Sequence, residues 1–243
     1  MKALARWVAL LLFAFIALQL FFVGRIAAMV VIDPESTTFQ RSEAYRIARD
    51  KDKLRWRQRW VPYSQISDHL KRAVIASEDG SFANHEGVDW DAVEKAWERN
   101  TKAQEMAAKR AMLAPKRAKP ARIIGGSTIT QQLAKNLLLS GERNLLRKGQ
   151  ELALTMVLEQ TLSKQRILEI YLNNVEWGEG VFGAEAAAQH YYRKSASRLT
   201  AYEAARLAVM LPQPKRFEKT PGSGYLASRA STIVARMRDA ELP

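Results

Sequence analysis

The chain has 243 residues, 38 Lys plus Arg against 25 Asp plus Glu, a formal net charge of +13 and no cysteine. That length holds one sizeable core plus an anchor and not two full enzymatic domains, and the absence of cysteine excludes a disulfide framework and any thiolate nucleophile or metal site. The basic excess favours anionic lipid, phosphate-bearing substrates or polyanions without choosing among them.

From Trp7 to Val23 only Gln19 is polar, and after Gly24 and Arg25 the apolar character resumes over residues 26–32. At about 1.5 Å per residue the first run spans roughly 26 Å, close to a bilayer core of roughly 30 Å, and Arg25 can snorkel to a headgroup. The segment 7–32 therefore reads as an uncleaved transmembrane anchor. A cleaved signal peptide fits less well, because the apolar region is long and no clean small-x-small site follows it. Lys2 and Arg6 predict a cytoplasmic tail, 1–6, with the rest of the chain on the periplasmic side of the inner membrane.

Residues 33–60 mix charges with Tyr45, Trp56 and Trp60 and are expected to form a partly helical stalk. From Ser67 the pattern turns helical. Leu70, Val74 and Glu78 recur every four residues and share a face with Ala73 and Ser77 beside them, so Glu78 sits on an apolar stripe. Residues 99–122 then carry eight cations against Glu105, with Pro115 and Pro120 inside the run. The prolines argue against one continuous helix, and 99–124 is read as a mobile basic arm, either solvated or leaning on anionic headgroups or diphosphates.

Thr128 and Gln131 form a T-x-x-Q capping box after Gly125-Gly126-Ser127, which predicts a helix running to about Leu139 and stopping at Ser140-Gly141. A second helix is expected from about Asn144 to Leu162, with Leu146, Ala153, Leu154, Val157 and Leu158 on its core side. A third starts near Ser163 and carries Ile167, Ile170 and Tyr171 to a turn at Asn173-Asn174. Gly178, Gly180 and Gly183 mark tight bends or close backbone approach. Residues 184–192 and 201–211 are helical, the latter opened by Thr200 and Glu203 and closed by Pro212. In the tail, 215–243, Leu226, Ala230, Ile233 and Met237 have the spacing of a helix packed on the core. Nothing alternates as a strand of any length, so the fold class is mainly α.

Three polar clusters sit in this helical frame. Glu78 and Asp79 lead a stretch that contains Phe82 and His85; a half-buried carboxylate there is desolvated, which raises its pKa and suits it to proton transfer. Taken alone, an acid at a helix end is more often solvated, and a lone His more often structural. Ser127, Thr128, Gln131, Gln132, Lys135 and Asn136 lie near a helix N-terminus, whose free N–H groups favour anions such as a sugar-phosphate. Arg143, Arg147 and Glu151 recur every four residues beside Lys148. They make either a surface ion pair or a diphosphate site, in which Glu151 has room for a divalent metal such as Mg or Mn.

Together, E-D-x-x-F-x-x-H-x-G at 78–87, G-x-S-T-I-T-Q-Q-L-x-K-N at 125–136, R-K-x-x-E at 147–151, Tyr171-Leu172-Asn173 with the following G-x-G-x-x-G, and Glu203-Ala204-Ala205 ahead of Leu211-Pro212 resemble the ordered motifs of glycosyltransferase family 51 over roughly 61–214. No S-x-x-K occurs, so the layout is similar to that of the monofunctional members. The resemblance implies a lysozyme-like helical glycosyltransferase domain behind one transmembrane helix, acting on lipid II and a growing glycan strand. It would form β-1,4 bonds with inversion and release undecaprenyl diphosphate.

By the same resemblance Glu78 is the general base and Glu151 the second glutamate. Lys135 and Arg143 hold the donor diphosphate, with Ser127, Thr128, Gln131 and Gln132 lining the donor site. Asp79, Phe82, His85, Asn136, Arg147 and Lys148 are further substrate-binding candidates. The long basic stretch between the first two motifs departs from the family pattern. Other cell-wall synthesis proteins suit this location as partners. A lytic, lysozyme-like enzyme is the alternative, since a lone Glu in a helical domain also serves there as general acid, but the diphosphate-type cations argue against it. A nucleic-acid binder lacks zinc-finger spacing and RNP-type aromatics, and an exported domain meets no nucleic acid.

Overall fold

The computed structural model describes residues 1–51, 55–113, 120–121, 125–139, 141–142 and 144–243. Helix α1 (Lys2–Ala28) is exposed along nearly its whole length, with only Phe22 and Ile26 buried. It is long and apolar enough to cross a membrane, and an apolar helix so little covered by protein matches a bilayer-spanning segment. Its C-terminal end is docked. Phe22, Ile26 and Met29 join the core, and Arg166 donates to the carbonyls of Met29 and Ile32 at 2.9 and 3.2 Å.

The segment expected as a stalk contains helix α2 (Thr38–Asp50), opened by a Thr37/Gln40 capping box. It lies against the domain: Thr38 Oγ1 donates to Leu137 O at 3.0 Å and Gln40 Nε2 to Asn174 O at 3.3 Å. Gln40 and Ile47, two turns apart on one face, are its buried residues.

Helix α3 (Asp68–Glu78) is capped by Ser67, whose Oγ accepts from His69 N at 3.2 Å. Its Leu70, Ala73 and Val74 are fully buried in the central core, against α9 (Ala201–Met210) and α11 (Gly224–Arg236). Leu226, Ala230, Ile233 and Met237 of the tail are buried there as their spacing predicts.

Helix α4 (Trp90–Leu113) runs unbroken through the first half of the expected arm. Between Trp90 and Leu113 there is no Gly or Pro, and Ala, Glu, Lys, Met and Arg dominate, all strong helix formers. The remainder of the arm, 114–119 and 122–124, lies outside the described residues.

Helix α5 (Ile129–Leu138), with its Thr128/Gln131 capping box, packs on α6 (Leu145–Thr161). The core side of α6 is Glu151, Leu154, Thr155 and Leu158. Leu146 and Ala153, expected to be buried, are exposed instead. The first turns of α6 run beside α1, where Gln150 Nε2 donates to Gln19 Oε1 at 2.7 Å, and Leu145 and Leu146 have no protein over them.

Helix α7 (Lys164–Asn174) extends through the pair expected to form a turn. Asn173 is buried and binds Val61 as a strand would, accepting from its N at 2.9 Å and donating to its O at 3.0 Å. A small sheet follows, in the order β1 (Arg57–Gln58), β3 (Val181–Phe182), β2 (Glu176–Gly178), with β1 parallel and β2 antiparallel to β3. Gly180 (φ +71°) and Gly183 (φ +84°) make the close approaches expected of them, to the backbone at Arg55 and Asn173. Helices α8 (Ala184–Tyr192), α9 and α10 (Pro214–Glu218) complete the wall around this sheet.

Candidate active site

Glu78 is the last residue of α3 and is half-buried. Its Oε2 accepts from Gln132 Nε2 at 3.1 Å, and its Oε1 accepts a longer contact, 3.4 Å, from Ser77 Oγ. Gln132 Oε1 in turn accepts from the buried Tyr171 hydroxyl at 3.0 Å. Burial pushes the Glu78 carboxyl above the usual carboxylate range. The bonds from Gln132 and Ser77 pull it down, Asp79 pushes it up, and Lys135 pulls it down more weakly.

Asp79 is buried and binds two elements at once. Its Oδ2 accepts from Ile129 N, at the start of α5, at 2.9 Å, and its Oδ1 pairs with His85 Nε2 at 2.9 Å. Because His85 Nδ1 accepts from Gly87 N at 3.1 Å, the ring proton is assigned to Nε2, which donates to Asp79. Thr128 Oγ1 donates to Gly87 O at 2.6 Å and accepts from Gln131 N at 3.2 Å. The end of α3 and the start of α5 are thereby held together, with Glu78 one residue from the joint.

Three cavities adjoin at Ser127. The largest, about 750 Å³, is lined by Gln132, Lys135, Asn136, Arg147, Lys148 and Glu151 and also by Phe39, Val175, Glu176, Leu211 and Pro214. A second, about 330 Å³, holds Glu78, Asp79 and Thr128 on one side and Asp89, Lys95 and Arg99 on the other. A third, about 460 Å³, is mostly apolar, with Trp90, Val93, Trp97, Leu145 and Leu152 beside Gln131 and Lys148.

Glu151 is buried in the first cavity wall, with Arg147 Nη1 at 2.7 Å from Oε2 and Lys148 Nζ against Oε1. Two cations thus share one carboxylate, which leaves local positive charge for an anion. A divalent metal at Glu151, for which the sequence leaves room, does not fit this donor set. Both oxygens are engaged by cations, and among the described residues no three acidic or histidine side chains lie together as ligands.

Of the expected site residues, Ser127, Gln132, Lys135, Asn136, Arg147, Lys148 and Glu151 line one cleft, and Glu78, Asp79 and Thr128 the adjoining one. Arg143 lies outside the described residues. Phe82 is fully buried, edge-on to His85 with Lys164 Nζ 4.6 Å above its ring, and lines none of the three cavities. It supports the loop from within and is not placed to touch a substrate. His85 likewise acts on Asp79.

Sequence reasoning assigned no role to the Tyr171 hydroxyl, whose position on an apolar stripe reads as core. Lys95, which with Arg99 makes an i,i+4 pair on α4 lining the cavity of Glu78, has no signal of its own in the sequence, because it precedes the basic run that starts at Arg99. Glu176, buried in the wall of the largest cleft, has no local signal either.

A family model described as Transglycosylase matches residues 46–238. The chain is 53% identical to the biosynthetic peptidoglycan transglycosylase of Burkholderia thailandensis, over 100% of this chain and 90% of that one. It is 52% identical to the protein of the same name in Burkholderia pseudomallei, with the same coverage, and 51% identical to that of Paraburkholderia phytofirmans, over 98% of this chain and 94% of that one. The motifs, the helical frame and these matches agree: the chain belongs to the transglycosylase family and is a peptidoglycan glycosyltransferase.

Proposed function

We propose that the chain polymerises lipid II at the outer face of the inner membrane, with Glu78 as the general base. The observation that carries this reading is the position of Glu78, a desolvated carboxylate where a cation-lined cleft meets a second cavity at Ser127. Polymerisation joins two large substrates, one of which loses a diphosphate, and a pair of adjoining cavities suits that need.

In this mechanism ionised Glu78 takes the proton from the acceptor sugar's 4-hydroxyl as that oxygen attacks C1 of the donor. The new C1–O bond forms on the face opposite the breaking bond to the diphosphate, so the anomeric centre inverts. The bonding pair leaves with the diphosphate, and Lys135, Arg147 and Lys148 stabilise the growing charge. Glu151 keeps Arg147 and Lys148 in place. Gln132, held by Tyr171, aims an N–H at Glu78 Oε2.

The apolar α1 and the uncovered Leu145 and Leu146 beside it support a catalytic domain seated on the bilayer, and Lys2 and Arg6 support a cytoplasmic N-terminus. The apolar cavity at Trp90 and Trp97 adjoins Lys148, an arrangement that suits a lipid-linked diphosphate delivered from the membrane. Glycan cleavage needs no such cations and is the weaker reading.

The test is polymer formation by the full chain in detergent supplied with lipid II, followed on gels. Glu78→Gln is expected to abolish polymer while its circular dichroism stays helical. Normal polymerisation by that variant removes Glu78 from the role of base.

A further inference from the structure

In the same cleft as the cations Lys135, Arg147 and Lys148 lies a carboxyl that the reaction as described does not use. Glu176 opens β2 and is 6% exposed, yet it lines the cavity. Its Oε1 is sealed from solvent and makes no close hydrogen bond, its nearest cation being Lys215 Nζ at 3.5 Å. That is the only ion pair its side chain makes among the described residues. Lys215 is drawn more closely to Glu43, which also holds Arg46 at 2.9 Å, and Arg46 is shared with Glu179 at 3.2 Å. The neighbouring cations are therefore already committed to other carboxylates. A buried carboxylate so weakly partnered is costly, and nothing in the core packing requires it here: its neighbours in this cavity wall, Phe39, Val175, Leu211 and Pro214, are all apolar.

We propose that Glu176 is a saccharide-binding, specificity-determining residue, its Oε2, the carboxylate oxygen not turned to Lys215, receiving a hydrogen bond from a hydroxyl or acetamido N–H of an amino sugar in the donor strand. The inference rests on the polymerase reading above and adds to it the part of the cleft that takes the sugars. With the donor diphosphate at Lys135, Arg147 and Lys148, the sugars continue along the same cavity toward Val175, Glu176 and Pro214. The apolar wall gives the sugar faces a surface to lie on, and Glu176 supplies the directional contact.

The facing charges tune this contact. Burial raises the Glu176 carboxyl to about 7; Lys215 and Arg46 pull it down, and Glu43 pushes it up. Tyr191, on α8, also feels its charge. Ionised, Glu176 is the stronger acceptor, so strand affinity increases as pH rises through about 7.

The experiment compares the full chain with Glu176→Gln and Glu176→Ala in detergent, with melting curves to show that each is folded. With lipid II, the expected result for both variants is a rise of about 3- to 10-fold in KM, shorter product strands and a smaller change in kcat. The change of KM across neutral pH is expected to flatten in Glu176→Gln. In parallel, binding of chitotetraose, a β-1,4-linked amino-sugar strand, is titrated without any turnover. The parent is expected to bind it and Glu176→Ala to bind it several-fold more weakly. Equal KM, strand length and chitotetraose affinity in parent and variants overturns the proposal, as does a parent that binds no chitotetraose. A parent that binds it but makes no polymer from lipid II overturns the polymerase reading and leaves Glu176 as a glycan contact.

Discussion

Gln132 presents its side-chain nitrogen to Glu78, at 3.1 Å from Oε2, because its oxygen is taken by the Tyr171 hydroxyl at 3.0 Å. An amide has one donating and one accepting end. Fixing the accepting end on Tyr171 leaves only N–H for Glu78, so a residue inside the core decides what the candidate base meets.

Tyr171→Phe removes that constraint without changing the ring. Gln132 Oε1 then loses its donor, and the amide is free to turn. The bond from Gln132 lowers the Glu78 pKa, so weakening it should move the acid limb of the pH–kcat profile to higher pH. A fall in kcat of about 3- to 10-fold is expected, the worth of one hydrogen bond near 1 kcal/mol, with KM little changed. An acid limb that stays in place shows that the hydroxyl serves packing alone.

The desolvation of Glu78 links activity to stability with opposite signs. Its folded-state pKa is raised, so the stability it contributes is full below the unfolded value and is lost as pH rises through the folded one. The base is active in the ionised form, so turnover grows over the same window. Glu78→Gln, neutral at every pH, is expected to melt at a higher temperature than the parent at pH 8 and to lose that advantage toward pH 4. Equal melting temperatures across this range would mean that Glu78 is effectively solvated.

The frame of this site was legible in the sequence because capping chemistry and helical periodicity are local. Thr128 with Gln131, Thr200 with Glu203, and Ser67 all cap the helices they were expected to open. Glu78 and Glu151 stand out as candidates through motif order, not through local physics, since an acid at a helix end looks solvated until its tertiary neighbours are known. What could not be read was long-range. The Gln132–Tyr171 bond crosses from α5 to α7, and Glu176 meets Lys215 from another element. Leu146 is exposed where its spacing predicts burial, because periodicity assigns a face and does not say what that face meets. Pro115 and Pro120 do not bear on the helix-forming residues that precede them, up to Leu113.

Asp79 is expected to matter for folding first and for rate second. It accepts from Ile129 N and from His85 Nε2 while buried. Asp79→Ala leaves a helix N-terminal N–H and an imidazole N–H unsatisfied, a cost on the order of 2–4 kcal/mol, and it unties α3 from α5. A fall of several degrees in Tm is expected, along with loss of polymerisation. Asp79→Asn keeps the acceptor for Ile129 but lacks the charge that draws His85, and should fall between the parent and the alanine variant. A parent-like Tm for Asp79→Ala would place the joint between the helices elsewhere, at Thr128 and Gly87.

Two glycines give a paired test in which the same substitution has opposite signs. At Gly180, φ is +71° and an added Cβ would lie 1.9 Å from Arg55 O, a backbone atom that cannot swing aside. Gly180→Ala must therefore part β3 from the approach to β1, at a cost of about 2 kcal/mol or more from strain and lost contact. Gly149 lies within α6, with nothing inside 4 Å of a built Cβ and no positive φ. There alanine removes backbone freedom from the unfolded chain and improves helix propensity, a gain of roughly 0.5–1 kcal/mol. Thermal melts of the two variants in the same detergent should move in opposite directions. If Gly149→Ala also lowers Tm, the α6 surface beside it is covered by something that a methyl group displaces.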